Sequence, residues 1–92
     1  MKVMFRQYMR PDGRQVPIYV DLDSSFADQV QRIRDDGCRL EAEVLTTGVV
    51  SFTIYDPSTE DDVACELVEN GPGVLAAVER LIHGYTGVEV QP

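Results

Sequence analysis

The sequence DPSTEDD at residues 56–62 holds the densest set of side chains that could do chemistry. Its acids and hydroxyls fall at alternate positions from Asp56, which is how a calcium-binding loop of the EF-hand type begins. The sixth position of such a loop needs a glycine and the twelfth a bidentate glutamate, but this chain has Asp61 and Leu67 there. The segment is therefore predicted to be a solvated acidic turn.

A glycine-rich sequence, ENGPG, follows an apolar run and leads into a helical pattern, as phosphate-binding loops do. Those loops add a lysine with a serine or threonine, or a third glycine with a downstream acid, and neither is present. Glu69 also places negative charge at the mouth of the turn. The helix itself accounts for the special residues: Pro72 suits its first position, with Asn70 or Gly71 as the cap. Gly84 suits its C-terminal end.

The other reactive side chains are isolated from one another in the sequence. His83, the single histidine, falls in the last turn of that helix, where a cation interacts favourably with the helix dipole. Cys38 and Cys65 are not spaced as metal ligands, and two buried thiols are expected. No serine lies in a nucleophile-elbow sequence. Glu41 and Glu43 fall on a predicted open sheet face. We therefore expect no catalytic residues, no metal and no cofactor: the protein is predicted not to be an enzyme.

The elements that position these residues begin with a β-hairpin. Its turn, RPDGR, allows two registers. Pro11 at the second turn position with a left-handed Gly13 suits a type I turn with a bulge. A two-residue Asp-Gly turn instead places Phe5 opposite Val20 and keeps both apolar sets on one face. Those sets alternate along the strands: Val3, Phe5, Met9, Val16, Ile18, Val20 and Leu22.

The sequence SSFADQVQRIRDDG predicts a helix capped by Ser24 or Ser25 and ended by Gly37. A second hairpin follows, with a three-residue loop that ends in a left-handed Gly48 and pairs Ala42 with Phe52. Its other pairs are Val44 with Val50 and Leu40 with Ile54. The opposite face of this hairpin then carries polar side chains: Arg39, Glu41, Glu43, Ser51, Thr53 and Tyr55. A fifth strand is predicted with three residues facing inward: Val63, Cys65 and Leu67.

These elements predict an α+β fold of order ββαβββα, as one domain over residues 1–92. Because one sheet face is polar, we expect two layers, an antiparallel sheet with both helices on one face. Residues 85–92 are predicted to be a loose tail or a short edge strand. The predicted core contains Phe26, Val30, Ile33, Leu40, Ala42, Val44, Val50, Phe52, Ile54, Val74, Val78 and Leu81.

The net charge of −8 is distributed unevenly along the chain. Residues 1–20 hold four cations and one acid, whereas residues 40–79 hold nine acids and no lysine or arginine. Such a surface repels nucleic acid and attracts basic partners, and it also keeps a small protein soluble. The leading interpretation is a non-catalytic interaction protein, an inhibitor or adaptor, that binds a basic protein partner through the acids in and beside one turn: Asp56, Glu60, Asp61, Asp62, Glu66 and Glu69.

Two alternatives follow from other features of the chain. The first strand mixes cations with aromatic and apolar groups, as nucleic-acid-binding surfaces do. A nucleic-acid-binding module would use Arg6, Tyr8, Arg10 and Arg14. A two-layer domain of this size also leaves strand edges and one sheet face open, which favours a homo-oligomer such as a homodimer.

The apolar run at residues 74–78 is the longest in the chain and too short to cross a bilayer. Charges are scattered through the N-terminal residues, so we expect no signal peptide, no membrane association and a cytoplasmic location. From residue 38 to residue 82 the order of elements resembles small uncharacterised proteins carried by phages and prophages. The likeness is strongest over VSFTIYDPSTEDDVACELVENGPGVLAAVERLI. It implies a small accessory protein that acts by binding, with no active site to carry over.

Overall fold

The computed structural model describes residues 1–7, 16–45 and 47–87. Its elements confirm the α+β class and the predicted order ββαβββα. In chain order they are β1 (Lys2–Gln7), β2 (Ile18–Asp21), a 3-10 turn (Ser24–Phe26), α1 (Ala27–Asp35), β3 (Arg39–Val44), β4 (Val49–Asp56), β5 (Asp61–Glu69) and α2 (Val74–His83).

The five strands form one sheet in the order β2-β1-β3-β4-β5. The sheet is mixed, because β1 runs parallel to β3 while the other neighbouring strands are antiparallel. The prediction of an antiparallel sheet throughout is therefore wrong. After β2 the chain crosses over through α1 and re-enters the sheet on the far side of β1. An alternating pattern shows which face of a strand is buried but not which neighbour the strand takes.

The second hairpin has the predicted register. Ala42 lies opposite Phe52 and Val44 opposite Val50, and Gly48 has a left-handed φ of 82°. This register puts the apolar positions of β3 and β4 on one face and the polar positions on the other. Turn chemistry and apolar alternation point to the same pairing here, which is why the sequence was sufficient.

The first hairpin pairs Phe5 with Ile18 and Val3 with Val20. The register that pairs Phe5 with Val20, one of the two that the turn sequence left open, is therefore wrong. The turn itself lies outside the described residues. A shift of two residues leaves every side chain on the same face, because the side-chain period of a strand is two. Apolar alternation cannot distinguish registers that differ in this way.

The core lies between the helices and one face of the sheet, with the rings of Phe5 and Phe52 at its centre in an edge-to-face contact of 5.1 Å. Nine of the twelve predicted core residues are buried. Phe26 and Val74 are partly buried against the core. Val44 is 37% exposed, because it ends β3 at the hairpin loop. Residues outside the predicted set complete the core: Val3, Phe5, Val20, Leu22, Cys38, Ala77, Ile82 and Tyr85.

The face that β5 turns toward the helices was predicted wrongly. Cys65 and Leu67 are exposed, and Ala64 and Val68 pack against the core instead. The pairing with β4 produces this arrangement, since it places Glu66 opposite the buried Phe52. A glutamate is tolerated there because its carboxylate lies 3.8 Å from the guanidinium of Arg80 on α2. Val63 is also exposed, at an irregularity in the pairing of β4 with β5.

Both helices begin differently from the prediction. The side chain of Asp23, not of Ser24 or Ser25, accepts a hydrogen bond of 2.9 Å from the backbone N–H of Ser25 and starts the 3-10 turn before α1. Helix α2 begins at Val74 with Gly73 as its N-cap, so Pro72 precedes the helix. Leu75, in the first turn of this helix, is 44% exposed. The predicted end of α1 is correct, with Gly37 left-handed at φ 82°.

Tyr85 begins the segment predicted to be a loose tail, yet it is buried. Its hydroxyl donates a hydrogen bond of 2.6 Å to the Asp36 carboxylate and lies 3.7 Å from the Cys38 sulfur. Burial and, after it, the hydrogen bond to Asp36 raise the pKa of Tyr85. Gln29 on α1 donates to the Tyr85 carbonyl, and Arg32 donates to the Thr86 carbonyl at 3.1 Å. These contacts hold residues 85–87 against α1, while residues 88–92 lie outside the described part of the chain.

Removal of the Tyr85 side chain should therefore destabilise the whole fold. We expect Tyr85→Ala to lower the free energy of unfolding by about 3 kcal/mol or more, the usual cost of emptying an aromatic site. Tyr85→Phe should cost about 1–2 kcal/mol, because only the hydrogen bond is lost. Urea denaturation measures both changes. Thr86→Ala is the control, since that residue contributes its backbone carbonyl; equal losses in Tyr85→Ala and Thr86→Ala would contradict this role for Tyr85.

Candidate functional site

The sheet face turned away from the helices, here called the open face, carries the polar side chains of the second hairpin. Strand pairing sets them in three rows: Arg39 with Tyr55, Glu41 with Thr53, and Glu43 with Ser51. This is the polar face that alternation predicts. The side chains on it are exposed or only half-buried. The hydrophobic core is formed on the other face, so these residues are not part of it.

A concave region of about 560 Å³ lies on the open face between β3 and the β4–β5 turn. Among the described residues, four carboxylates and one cation, Arg39, line it. We call this region the acidic groove. Its carboxylates are Glu41, Glu43, Glu60 and Asp62, and its neutral lining includes Ser51, Thr53, Tyr55 and Cys65.

The β4–β5 turn and the start of β5 supply two of these carboxylates, Glu60 and Asp62, through an unusual backbone. Glu60 adopts a left-handed φ of 58°, which is uncommon for a residue other than glycine. The pairing irregularity between β4 and β5 then places Asp62 opposite Tyr55, on the open face. Without the residue that this irregularity adds to β5, Asp62 would face the helices, because alternate residues point to opposite faces.

The six acids predicted to form one binding surface are divided among several places. Glu60 and Asp62 line the acidic groove, and Asp61 is exposed beside them. Glu66 is on the helix side of β5. Glu69 is seven residues beyond Asp62 on the same strand, a separation of roughly 20 Å. The six acids therefore do not lie together on one surface, because they are divided between the two faces of the sheet and along the length of β5.

Asp56, the remaining member of that set, is 3% exposed and has a structural role. Its Oδ1 accepts hydrogen bonds from the hydroxyl of Ser58 at 2.7 Å and from the backbone N–H of Ser58 at 3.0 Å. These bonds lower the pKa of Asp56 from its usual value of 3.8. Asp56 thus orders the start of the β4–β5 turn and is not available to a partner.

Glu41 and Glu43 belong to the groove but were absent from the predicted binding residues. The sequence showed that both would lie on the open face. It did not show that the β4–β5 turn would fold toward that face and bring Glu60 and Asp62 alongside them. Alternation in β3 was thus the available signal, and the missing information was the pairing irregularity in β5.

The alternative nucleic-acid surface lies mostly outside the described residues, which include Arg6 but not Tyr8, Arg10 or Arg14. Arg6 is exposed on β1 and lies opposite Glu41 in the parallel pairing of β1 with β3. The one described member of that surface therefore adjoins a carboxylate of the acidic groove. This neighbour opposes the approach of a polyanion.

The two cysteines are free thiols in different surroundings. Cys38 is buried as predicted, whereas the prediction of a buried thiol is wrong for Cys65, which is exposed in the acidic groove. The hydroxyls of Ser51 and Thr53 lie 3.4 and 3.7 Å from the Cys65 sulfur. These contacts link β4 to β5 across the open face.

A second cavity, of about 570 Å³, lies between α1 and the end of α2. Ser25, Asp28 and His83 all line it, but within the part of the chain that the structure describes no hydrogen bond joins any two of them. Among the described residues, no three His, Cys, Asp or Glu side chains are grouped so that they could hold a metal ion. No described helix is long and apolar enough to cross a membrane.

Comparison of the chain with protein-family models, with curated proteins and with solved structures gives no match. Nothing in these comparisons bears on the likeness to phage and prophage accessory proteins. The geometry of the open face is therefore the basis for a functional proposal.

The β4–β5 turn should depend on the ionised form of Asp56. Because folding lowers the pKa of this carboxyl, its stabilising effect is present above 3.8 and is lost as the pH falls through the lowered value. We expect Ser58→Ala to raise the pKa of Asp56 toward 3.8, measured by NMR titration of the carboxyl carbon. The variant should be less stable than the wild type at neutral pH and nearly equal to it in strong acid.

Ser24→Ala, on the exposed 3-10 turn, is the control for this titration. An Asp56 pKa that does not move in Ser58→Ala would contradict the assigned hydrogen bonds.

Proposed function

We propose that this protein is a non-catalytic interaction module whose acidic groove binds a basic segment of a protein partner. The single observation behind the proposal is the composition of the groove, with four carboxylates and one arginine around about 560 Å³. The segment it would accept carries lysine or arginine side chains. This proposal replaces the predicted six-acid surface with one that keeps Glu60 and Asp62 and adds Glu41 and Glu43.

Charge complementarity supports a basic occupant. Carboxylates close together on one surface raise the local negative potential, which steers a cationic partner toward it and increases the association rate. Arginine is the best-suited partner side chain, because its guanidinium fork can donate two parallel hydrogen bonds to one carboxylate. The groove offers carboxylates from both sides, β3 on one and the β4–β5 turn on the other.

The neutral lining supports a protein segment as the occupant rather than a lone cation. The Thr53 and Ser51 hydroxyls can accept or donate hydrogen bonds to a peptide backbone, and Tyr55 adds an aromatic ring next to Arg39. Aromatic rings and arginines are enriched at protein interfaces. An extended segment along the groove would contact both types of group.

The test uses a fluorescein-labelled oligoarginine peptide and fluorescence anisotropy. We expect the triple variant Glu41→Gln, Glu43→Gln, Asp62→Asn to bind the peptide about tenfold more weakly, because each exposed pair contributes about 0.5 kcal/mol. The control variant Asp28→Asn, Asp35→Asn, Glu69→Gln removes the same number of exposed acids from other places. It should retain most of the affinity.

Equal losses in the two triple variants would mean that the peptide senses net charge alone, and the groove would no longer be the binding site. Circular dichroism of both variants verifies that each is folded. A natural protein partner, once isolated, should also bind the groove variant more weakly than the control variant.

A homodimer is a second candidate, favoured by β5, whose outer edge pairs with no other described strand. This nine-residue strand ends the sheet, and its exposed side chains include Leu67, 62% exposed, and Val63, 39% exposed. A long edge strand with exposed apolar side chains is suited to pairing with a second copy. The acids Asp61 and Glu69 at its two ends oppose such pairing, because they would face one another in an antiparallel dimer.

Sedimentation velocity at tens of micromolar tests this second candidate. Pairing through β5 predicts a mass of about twice 10.3 kDa for the wild type and a monomer for Leu67→Lys. A wild-type mass near 10.3 kDa would rule the dimer out without affecting the groove proposal.

A further inference from the structure

A cavity of about 300 Å³ lies at the seam between β1 and the start of β3. Three arginines line it, together with apolar side chains and the buried thiol: Arg6, Arg34, Arg39, Met4, Leu40 and Cys38. We call it the arginine notch. Its volume is at the lower end of the range for small-molecule sites. A concentration of positive charge is unexpected in a chain whose net charge is −8.

The fold brings these arginines together from separate elements. Arg34 lies in the last turn of α1 and Arg39 begins β3, and the tight turn at Gly37 joins the two. The parallel strand β1 brings Arg6 to the same seam. Its pairing with β3 includes Arg6 with Glu41 and Gln7 with Ala42, and among the described residues it does not extend back to Arg39. The seam is therefore open beside the first residues of β3.

The arginines of the notch differ from the other two that the structure describes. Arg32 donates to the Thr86 carbonyl, and Arg80 forms an ion pair with Glu66. No hydrogen bond or ion pair within residues 1–7, 16–45 and 47–87 engages the guanidinium groups of the notch. Each described arginine that lacks such a partner thus lines this one cavity.

The position of Arg34 at the C-terminal end of α1 favours a cation through the helix dipole, but that effect does not account for Arg6 or Arg39. Like charges around one cavity repel one another, and a bound anion removes that repulsion. Guanidinium groups match phosphate oxygens in pairs of parallel hydrogen bonds. The side chain of Met4, which is 47% exposed, can contact an apolar group attached to the phosphate.

We infer that the arginine notch binds a small organic phosphate, an anionic head group joined to an apolar or aromatic body. A nucleic acid is a poorer fit to the surroundings. A strand lying along the open face would pass from the notch onto Glu41 and Glu43, whose charges repel phosphates. A ligand that ends within the notch avoids those carboxylates.

The experiment titrates the full chain with phenyl phosphate, inorganic phosphate and a single-stranded oligothymidine at constant ionic strength, with sodium chloride as the reference. Amide shifts in two-dimensional NMR spectra report the site. We expect saturable shifts around Cys38, Arg39 and Leu40 with phenyl phosphate, and weaker binding of inorganic phosphate. Arg34→Gln and Arg39→Gln should each weaken phenyl phosphate binding roughly tenfold.

Arg80→Gln is the matched control, since it removes one exposed arginine outside the notch, and its affinity should equal that of the wild type. Shifts no larger than those caused by chloride, or equal losses in Arg34→Gln and Arg80→Gln, would overturn the inference. Tight oligothymidine binding without phenyl phosphate binding would replace it with a nucleic-acid site.

Arg34 does not line the acidic groove, so Arg34→Gln should leave oligoarginine binding unchanged. The proposal for the arginine notch and the proposal for the acidic groove can therefore be refuted independently. Thermal unfolding of each arginine variant shows whether a loss of binding comes from a loss of fold.

Discussion

In the described part of the chain, the apolar core lies on one face of a five-stranded sheet. Alternate residues of β3 and β4 point into the core, where Phe52 meets Phe5 edge to face, and the helices contribute the opposing apolar surface. Burying such a side chain contributes about 1.5–3 kcal/mol, and no polar contact on the open face is comparable. The face of the sheet covered by the helices therefore provides most of the stability. Residues on the open face can be selected for binding instead.

The parallel pairing of β1 with β3 shapes both faces of the sheet. It completes the core, because it brings Val3 and Phe5 over the same face as Leu40 and Phe52. On the other face it sets Arg6 of β1 opposite Glu41 of β3. Arg39 is at the boundary and lines both cavities. The parallel seam thus places the arginine notch beside the acidic groove.

The sequence predicted correctly those parts of the fold that depend on turn residues and on the alternation of neighbouring side chains. In the second hairpin, a glycine at the left-handed loop position and strict alternation gave one answer, which was correct. In β5 the segment VACELV alternates equally well in either direction, and its pairing with β4 determines which side chains face the helices. In the first hairpin, registers two residues apart bury the same side chains. The residues around Tyr85 show no helical or strand periodicity, and Tyr85 is buried through contacts with residues distant in the sequence, Gln29 and Asp36.

The candidate site was predictable to a similar degree. An excess of carboxylates in residues 40–79 was visible in the sequence, and so was the polar face of β3. Their convergence was not, because it depends on the left-handed backbone at Glu60 and the irregular pairing that turns Asp62 to the open face. Asp56 was included among the binding residues because it lies in an acidic segment, but its hydrogen bonds to Ser58 give it a structural role.

The central claim is that the open face is the binding surface, and mapping the contact of a bound basic peptide tests it most directly. Amide shifts of the full chain would be recorded during titration with unlabelled oligoarginine. The account predicts that the largest shifts fall on Glu41, Ser51, Thr53 and Asp62, with α1 and α2 unaffected. Shifts concentrated on the helices, or spread evenly over every exposed acid, would contradict it.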